Sequence, residues 1–251
     1  ENIHMLSMKY IAGFLDADGS VGIACRAGIY SPQLVVSFSQ KETQDKPLHL
    51  IHKEFGGSLH VDTIKGSRYT HLAFRAGPAM KLLSRIKKHL VIKRRYSDVC
   101  LEMVKNGKPS NLEDAKLKLK NERKIKSLPL PNFPPRKWLA GYFDGDGCIF
   151  SVIQKKGSAQ ITCSIASSWF DTEGIEIIQK SFGGFIRIMS KGNMVHQLFI
   201  GLPPSKAKQF FGYFAKHLII KKEQAEFVLS CAEMGHYREG RNINSALKQL
   251  K

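Results

Sequence analysis

One ten-residue pattern occurs twice in this chain of 251 residues, and that repeat restricts the fold to two similar halves. The first copy is Tyr10-Ile11-Ala12-Gly13-Phe14-Leu15-Asp16-Ala17-Asp18-Gly19. The second is Trp138-Leu139-Ala140-Gly141-Tyr142-Phe143-Asp144-Gly145-Asp146-Gly147. Asp146 follows Asp18 by 128 positions, about half the chain. Repetition at a fixed spacing marks a duplicated structural unit, and here the echoes continue downstream. Gln33–Gln40 is answered by Gln160–Ser167, Glu54–Ser58 by Ser181–Phe185, and Lys88–Lys93 by Lys216–Lys221. A pseudo-twofold axis between such halves would bring the two acidic turns together.

Each copy reads as helix, two strands, helix, two strands, then helices. The motif segment is apolar and poor in charge, as a buried helix requires. Val21–Ala24 and Gln33–Gln40 read as strands around a turn at Gly28. Pro47 suits the first turn of a helix that ends at Phe55-Gly56-Gly57. Leu59–Ile64 and Tyr69–Phe74 form a second hairpin around Lys65-Gly66-Ser67, followed by helices over Pro78–His89 and Arg94–Lys105. The second copy repeats the series: strands at Ile149–Gln154, Ala159–Ala166, Phe185–Ile188 and Val195–Ile200, with helices over Thr172–Phe182, Pro204–His217 and Lys222–Tyr237. Between the copies, Leu112–Lys126 reads as an exposed charged helix. The run Leu128-Pro129-Leu130-Pro131-Asn132-Phe133-Pro134-Pro135 reads as a semi-rigid linker.

The chain holds 39 Lys and Arg against 21 Asp and Glu, a net charge of +18. Such an excess points first to nucleic acid, with a merely basic soluble protein as the plainer alternative. No apolar run approaches the roughly 20 residues of a membrane helix. Glu1-Asn2-Ile3-His4 begins no charged leader with an apolar core. The chain therefore reads as intracellular, cytoplasmic or organellar, rather than secreted or membrane-bound. Cys25, Cys100, Cys148, Cys163 and Cys231 are odd in number and contain no C-x-x-C pair. That argues against a zinc site or a secreted disulfide framework.

The acids demand an explanation, because a helix C-terminus carries partial negative charge and disfavours a carboxylate by roughly 0.3–1 kcal/mol. A bound divalent cation reverses the balance by attracting both carboxylate and free carbonyls. An EF-hand loop would need Gly at its sixth position and Glu at its twelfth. Counting from Asp16 these are Val21 and Ala27, and from Asp144 they are Ile149 and Lys155. A plain capped turn accounts for either copy alone, less well for both in register. A two-copy catalytic metal site accounts for both. Ala12-Gly13 and Ala140-Gly141 would let two motif helices approach closely.

Both motifs and their common register resemble the LAGLIDADG homing endonucleases, in the single-chain form with two motifs, over nearly the whole chain. The resemblance implies an α+β fold of two pseudo-symmetric αββαββα repeats, with motif helices at a central seam and two antiparallel sheets forming a saddle over DNA. Residues 1–105 would be the first repeat, 106–135 a bridge and linker, and 136–251 the second repeat. It further implies that Asp18 and Asp146 bind metal, assisted by the carbonyls of Ala17 and Gly145, while Asp16 and Asp144 cap the seam. Gln40 would organise water. Its counterpart Ser167 is shorter, which implies an asymmetric site or a role passed to Ser168. Lys93 and Lys221 occupy the position of an active-site lysine. Each role has a chemical basis: divalent metal acidifies water and clamps phosphate oxygens, and lysine stabilises charge on the phosphate.

A β-ribbon can enter the major groove, one face packed on helices and the other meeting bases. With Leu34, Val36 and Phe38 facing inward, Gln33 and Ser37 face outward, with Arg26, His60 and Arg68 as companions. In the second copy Gln160, Thr162 and Ser164 face outward, with Gln154 and Arg187 nearby. The expectation is a monomeric, magnesium-dependent endodeoxyribonuclease that hydrolyses one phosphodiester per strand at a long pseudo-palindromic site. Manganese or calcium could fill the same metal position. The alternative is an RNA maturase, with host intron RNA as partner, or a non-cleaving DNA-binding regulator on the same fold.

Overall fold

Alternation and repeat register become two separate four-stranded sheets in the computed structural model, which describes residues 6–26, 29–105, 112–122, 130–154, 158–168, 170–189, 195–234, 237 and 240–250. The chain divides into two compact units, Glu1–Leu130 and Pro131–Lys251. The turn at Gly28, the side chain of Arg26 and the Leu128-Pro129 part of the linker lie outside the described residues.

The first unit begins with α1 (Met8–Asp18), then β1 (Gly19–Arg26), β2 (Ile29–Lys41), α2 (Lys46–Phe55), β3 (Ser58–Ile64) and β4 (Ser67–Arg75). It continues with α3 (Ala76–Ile86), a single 3-10 turn at Lys87–His89, α4 (Arg94–Lys105) and α5 (Leu112–Glu122). The second unit repeats this order as α6 (Arg136–Asp146), β5 (Gly147–Ile153), β6 (Ala159–Ser168), α7 (Glu173–Phe182), β7 (Phe185–Met189) and β8 (Val195–Gly201). It ends with α8 (Pro204–Phe214), a 3-10 turn at Ala215–His217, α9 (Lys222–Glu233) and α10 (Gly240–Gln249). The expected α+β class and doubled organisation are therefore observed.

Strand order is β1-β2-β4-β3 in one sheet and β5-β6-β8-β7 in the other, antiparallel throughout. In the first unit Leu34, Val36, Phe38, Leu72 and Phe74 are buried on one face, against which α3 packs. The period-two burial of β2 follows from its alternating sequence. In the second, Ile161, Cys163, Ile165, Leu198 and Ile200 form the corresponding layer. The opposite face of each sheet is exposed or half-exposed at every described position except Ser164.

The helix read as part of a bridge packs within the first unit. Ala115 and Leu119 are buried, α5 lies against α4 and β1, and Arg95 Nε meets Glu122 Oε2 at 2.8 Å. Its counterpart is α10, an element absent from the reading above. Ile243 and Leu247 stand 128 positions after Ala115 and Leu119 and are likewise buried, with α10 lying against β5 and β6. The end of the proline-rich segment belongs to the second unit. Phe133 packs edge-on against Phe182 and Tyr213 at 5.1 and 4.9 Å, and the Tyr213 hydroxyl donates to the Pro134 carbonyl at 3.0 Å.

Candidate active site and nucleic-acid interface

Seven consecutive residues of α1, Tyr10 to Asp16, are buried, as are Trp138 to Asp144 of α6. Each helix passes straight into a strand through a glycine in extended conformation, Gly19 at φ −89° and Gly147 at φ −77°. These glycines are required by proximity rather than by a left-handed backbone. A Cβ on Gly19 would lie 2.2 Å from Leu15 Cδ1 and 2.8 Å from the Leu15 carbonyl oxygen, and one on Gly147 would lie 2.4 Å from that of Phe143. The strand therefore starts directly over the last helical turn, which fixes the Asp-x-Asp segment between helix and sheet.

Within that segment the two acids do different things. Asp16 is 3% exposed, and its carboxylate accepts the backbone N–H groups of Val91 and Lys93 at 2.7 and 2.8 Å. Asp144 accepts those of Ile219 and Lys221 at 2.7 and 2.9 Å. The buried acids thus tether the segment after the 3-10 turn to the helix end. That tether delivers the lysines. Lys93 Nζ donates to the carbonyls of Leu15 at 2.8 Å, Asp16 at 2.5 Å and Ala17 at 3.3 Å. Lys221 Nζ donates to the carbonyls of Asp144 and of Gly145, the latter at 3.4 Å. An ammonium at a helix C-terminus satisfies orphan carbonyls and offsets the macrodipole. The positive charge that the paired carboxylates call for is thus supplied in part by the chain itself.

Asp18 and Asp146 are half-exposed at the ends of these helices. Asp18 accepts a hydrogen bond from Gln40 Nε2, and Gln40 is 7% exposed on the inner side of β2. Ser167 occupies the matching place in β6 and is equally buried, but its hydroxyl donates to the Asp171 carbonyl. Ser168 Oγ donates to the Asp171 carboxylate at 2.6 Å. Both serines therefore serve the turn before α7, and the two helix ends differ in their strand-borne partner.

Carboxylates and helix-end carbonyls are hard oxygen donors, a set that suits magnesium, which is commonly held by one or two carboxylates together with substrate phosphates. No group of three or more His, Cys, Asp or Glu among the described residues forms a metal cage of its own. The donors fit a metal that shares its coordination with a bound phosphate.

Cross-strand register places the base-reading candidates. Gln33, Ser37 and His60 lie on the open face of the first sheet. His60 stacks on His71 at 5.2 Å and meets Asp62 at 3.4 Å. Arg68 falls on the opposite face, because it pairs with Thr63, one position out of phase with His60, and it meets Glu42 at 3.0 Å. In the second sheet Gln160, Thr162, Ser164 and Arg187 share the open face with β5 positions Phe150 and Val152. Gln154 Nε2 donates to Gln160 Oε1 at 3.2 Å. Ser164 has the right direction but is 3% exposed, since Gln197 Nε2 donates to its hydroxyl at 3.0 Å. Lys41, Tyr69, His71 and Arg75 in the first sheet and Gln197 in the second join these open faces. Carrying the alternation from β2 and β6 onto their partner strands would have identified them.

A sequence model described as LAGLIDADG endonuclease matches residues 139–234. No curated protein matches. Among solved structures, the I-LtrWI LAGLIDADG homing endonuclease bound to target DNA superposes with a TM-score of 0.72 at 18% identity, covering 100% of this chain and 98% of that one. The I-SmaMI LAGLIDADG homing endonuclease bound to cleaved DNA gives 0.70 at 19% identity, covering 97% and 96%. The I-GzeII LAGLIDADG homing endonuclease in complex with its DNA target gives 0.67 at 16% identity, covering 98% and 97%.

Proposed function

From a second unit that carries the LAGLIDADG endonuclease sequence pattern, and a whole chain with the fold of the homing endonucleases, we propose a site-specific, magnesium-dependent endonuclease for double-stranded DNA. The observation that carries this reading is the twice-built helix end. In each copy a buried acid anchors a lysine, and a second, half-exposed acid stands at the end of the same helix. The first acid of each pair is spent on backbone N–H groups, and the second adds a half-exposed carboxylate to the same helix end.

Hydrolysis of a phosphodiester requires an activated water, neutralised phosphoryl oxygens and a stabilised leaving oxygen. Magnesium held by Asp18 or Asp146, with the Ala17 or Gly145 carbonyl close by, would acidify water and clamp the phosphate. The Gln40 amide orients the Asp18 carboxylate and would order water at that helix end. Lys93 and Lys221 bring fixed positive charge to the same place, where it stabilises charge developing on the phosphate or leaving oxygen. The open sheet faces supply base contacts, with Gln suited to adenine and Arg to guanine edges. Net charge of +18 supplies the phosphate attraction.

The test is cleavage of a randomised duplex library in magnesium by the protein and by a variant with Asp18→Asn and Asp146→Asn. The expected result is cation-dependent double-strand cleavage at a defined site, lost in the variant while duplex binding persists. Unchanged cleavage by the variant overturns the assignment. Selective binding by the unaltered protein without cleavage in any divalent cation assigns it instead to a non-cleaving regulator.

A further inference from the structure

We propose that the second unit recognises a thymine-rich half-site through apolar contact with thymine methyl groups, whereas the first unit reads its half-site by polar contacts. This rests on the DNA-binding reading above and adds to it the residues that set specificity.

Row by row, the two open faces differ in polarity. Across the first sheet one row runs Ser20, Ser37, Ala73, Ser58. The same row of the second sheet runs Cys148, Ser164, Phe199, Phe185. Two small residues are thus replaced by two phenylalanines, stacked with ring centroids 5.3 Å apart and an interplanar angle of 17°. The neighbouring rows change in the same sense: Gly22 becomes Phe150, and Ala24 becomes Val152. Phe185 is 60% exposed and Val152 53% exposed. These are large apolar groups held out of the core on a rigid sheet.

The surroundings identify the occupant. Gln160 lies beside Val152, and Arg187 and Gln197 form the row next to the phenylalanines. Apolar groups interleaved with planar hydrogen-bonding side chains, in a chain of net charge +18, match the major groove. There the thymine C5-methyl is the apolar group that a base pair presents, beside the acceptors and donors that Gln and Arg read. A phenylalanine pressed on a G·C pair would instead cover polar edges without satisfying them, which adds a penalty against the wrong base. In the first sheet the corresponding rows carry serine, Gln33, Arg75 and the His60–His71 pair, a mainly hydrogen-bonding surface in which Val35 stands where the second sheet has Thr162.

The experiment uses the full chain with Asp18→Asn and Asp146→Asn, so that bound duplex stays intact. A site is first selected by binding from a randomised duplex pool. Thymines are then replaced by deoxyuridine, which lacks only the methyl, in one half-site at a time. Affinity should fall about fourfold per contacted methyl in one half-site, the value of one buried carbon, and by less than about twofold in total in the other. Adding Phe185→Ser and Phe199→Ala should abolish the thymine-over-deoxyuridine preference in the sensitive half while leaving the other half unchanged. Equal sensitivity of both halves, insensitivity of both, or a preference that survives the phenylalanine substitutions overturns the inference. Selection that yields no preferred sequence overturns the DNA-binding reading itself, a distinct signature. The folding risk is small because Phe185 is mostly exposed. Circular dichroism and specific binding to an all-thymine control duplex verify the variants.

Discussion

Asp16 and Asp18 are two positions apart, and their surroundings differ completely. The Asp16 carboxylate is buried and spends both oxygens on backbone N–H groups. Asp18 is half-exposed and is met by a glutamine amide. In Asp16→Asn one oxygen becomes an NH2 facing a backbone N–H, so a buried donor loses its acceptor. An unsatisfied buried group costs about 1–3 kcal/mol, and the lost charge adds to this, so the variant should be destabilised by about 2–4 kcal/mol. Asp18→Asn should change stability by less than about 1 kcal/mol while removing the charge proposed to hold metal. Urea denaturation of both variants checks the contrast. Equal destabilisation, or a larger effect at Asp18, would contradict the division of labour. The sequence made the inequality of these acids legible through the resemblance alone. What it could not show was the partner of Asp16, because Val91 and Lys93 lie 75 and 77 positions away and contribute backbone rather than side chain. For the same reason the positive charge that Lys93 and Lys221 bring to the helix ends was hidden.

At the scale of elements, each unit closes with a helix in which two of the described residues are buried, Ala115 and Leu119 in α5 and Ile243 and Leu247 in α10. Leu119 and Leu247 are 3% and 1% exposed, whereas Leu117 on the same helix as Leu119 is 58% exposed. Truncating a buried leucine removes transfer energy and leaves a cavity, about 2–5 kcal/mol. Leu119→Ala and Leu247→Ala should therefore each cost about 2–4 kcal/mol, and Leu117→Ala about 0.5 kcal/mol or less, measured by thermal unfolding. A neutral Leu119→Ala would mean that α5 is a detached bridge after all. The strands were legible because alternation over seven or more residues is a strong signal, and β2 shows it at Leu34, Val36 and Phe38. The burial of α5, read as an exposed helix, and the whole of α10 were hidden because an i, i+4 pair of apolar residues within a polar segment is weak evidence of burial. Only the register of 128, followed to Ala115 and Ile243, links them.

Over the whole molecule the duplication extends to charge placement. His89 and His217 are 128 positions apart, each ending the 3-10 turn that precedes a lysine held at a helix end, Lys93 or Lys221. Burial lowers the pKa of both below the usual 6.5, and nearby cations lower it further: Lys88 and Lys9 at His89, and Lys137, Lys216 and Arg136 at His217. The folded protein therefore favours neutral imidazoles, while the unfolded chain protonates both near pH 6.5. Below that pH the unfolded state binds more protons, so stability is fully present above about pH 6.5. It is lost progressively as pH falls towards the folded-state values of the two histidines. Because burial is the first cause and neighbouring charge only the second, added salt should raise these pKa values part of the way and not restore 6.5. Histidine ring proton shifts followed by NMR across pH 4–8, about the span in which imidazole titrates, check this directly. Midpoints at or above 6.5 for both residues in the folded protein would refute the assignment. Midpoints that return fully to 6.5 in about 1 M salt would show that lysine and arginine repulsion, rather than burial, sets the charge state beside the two helix ends.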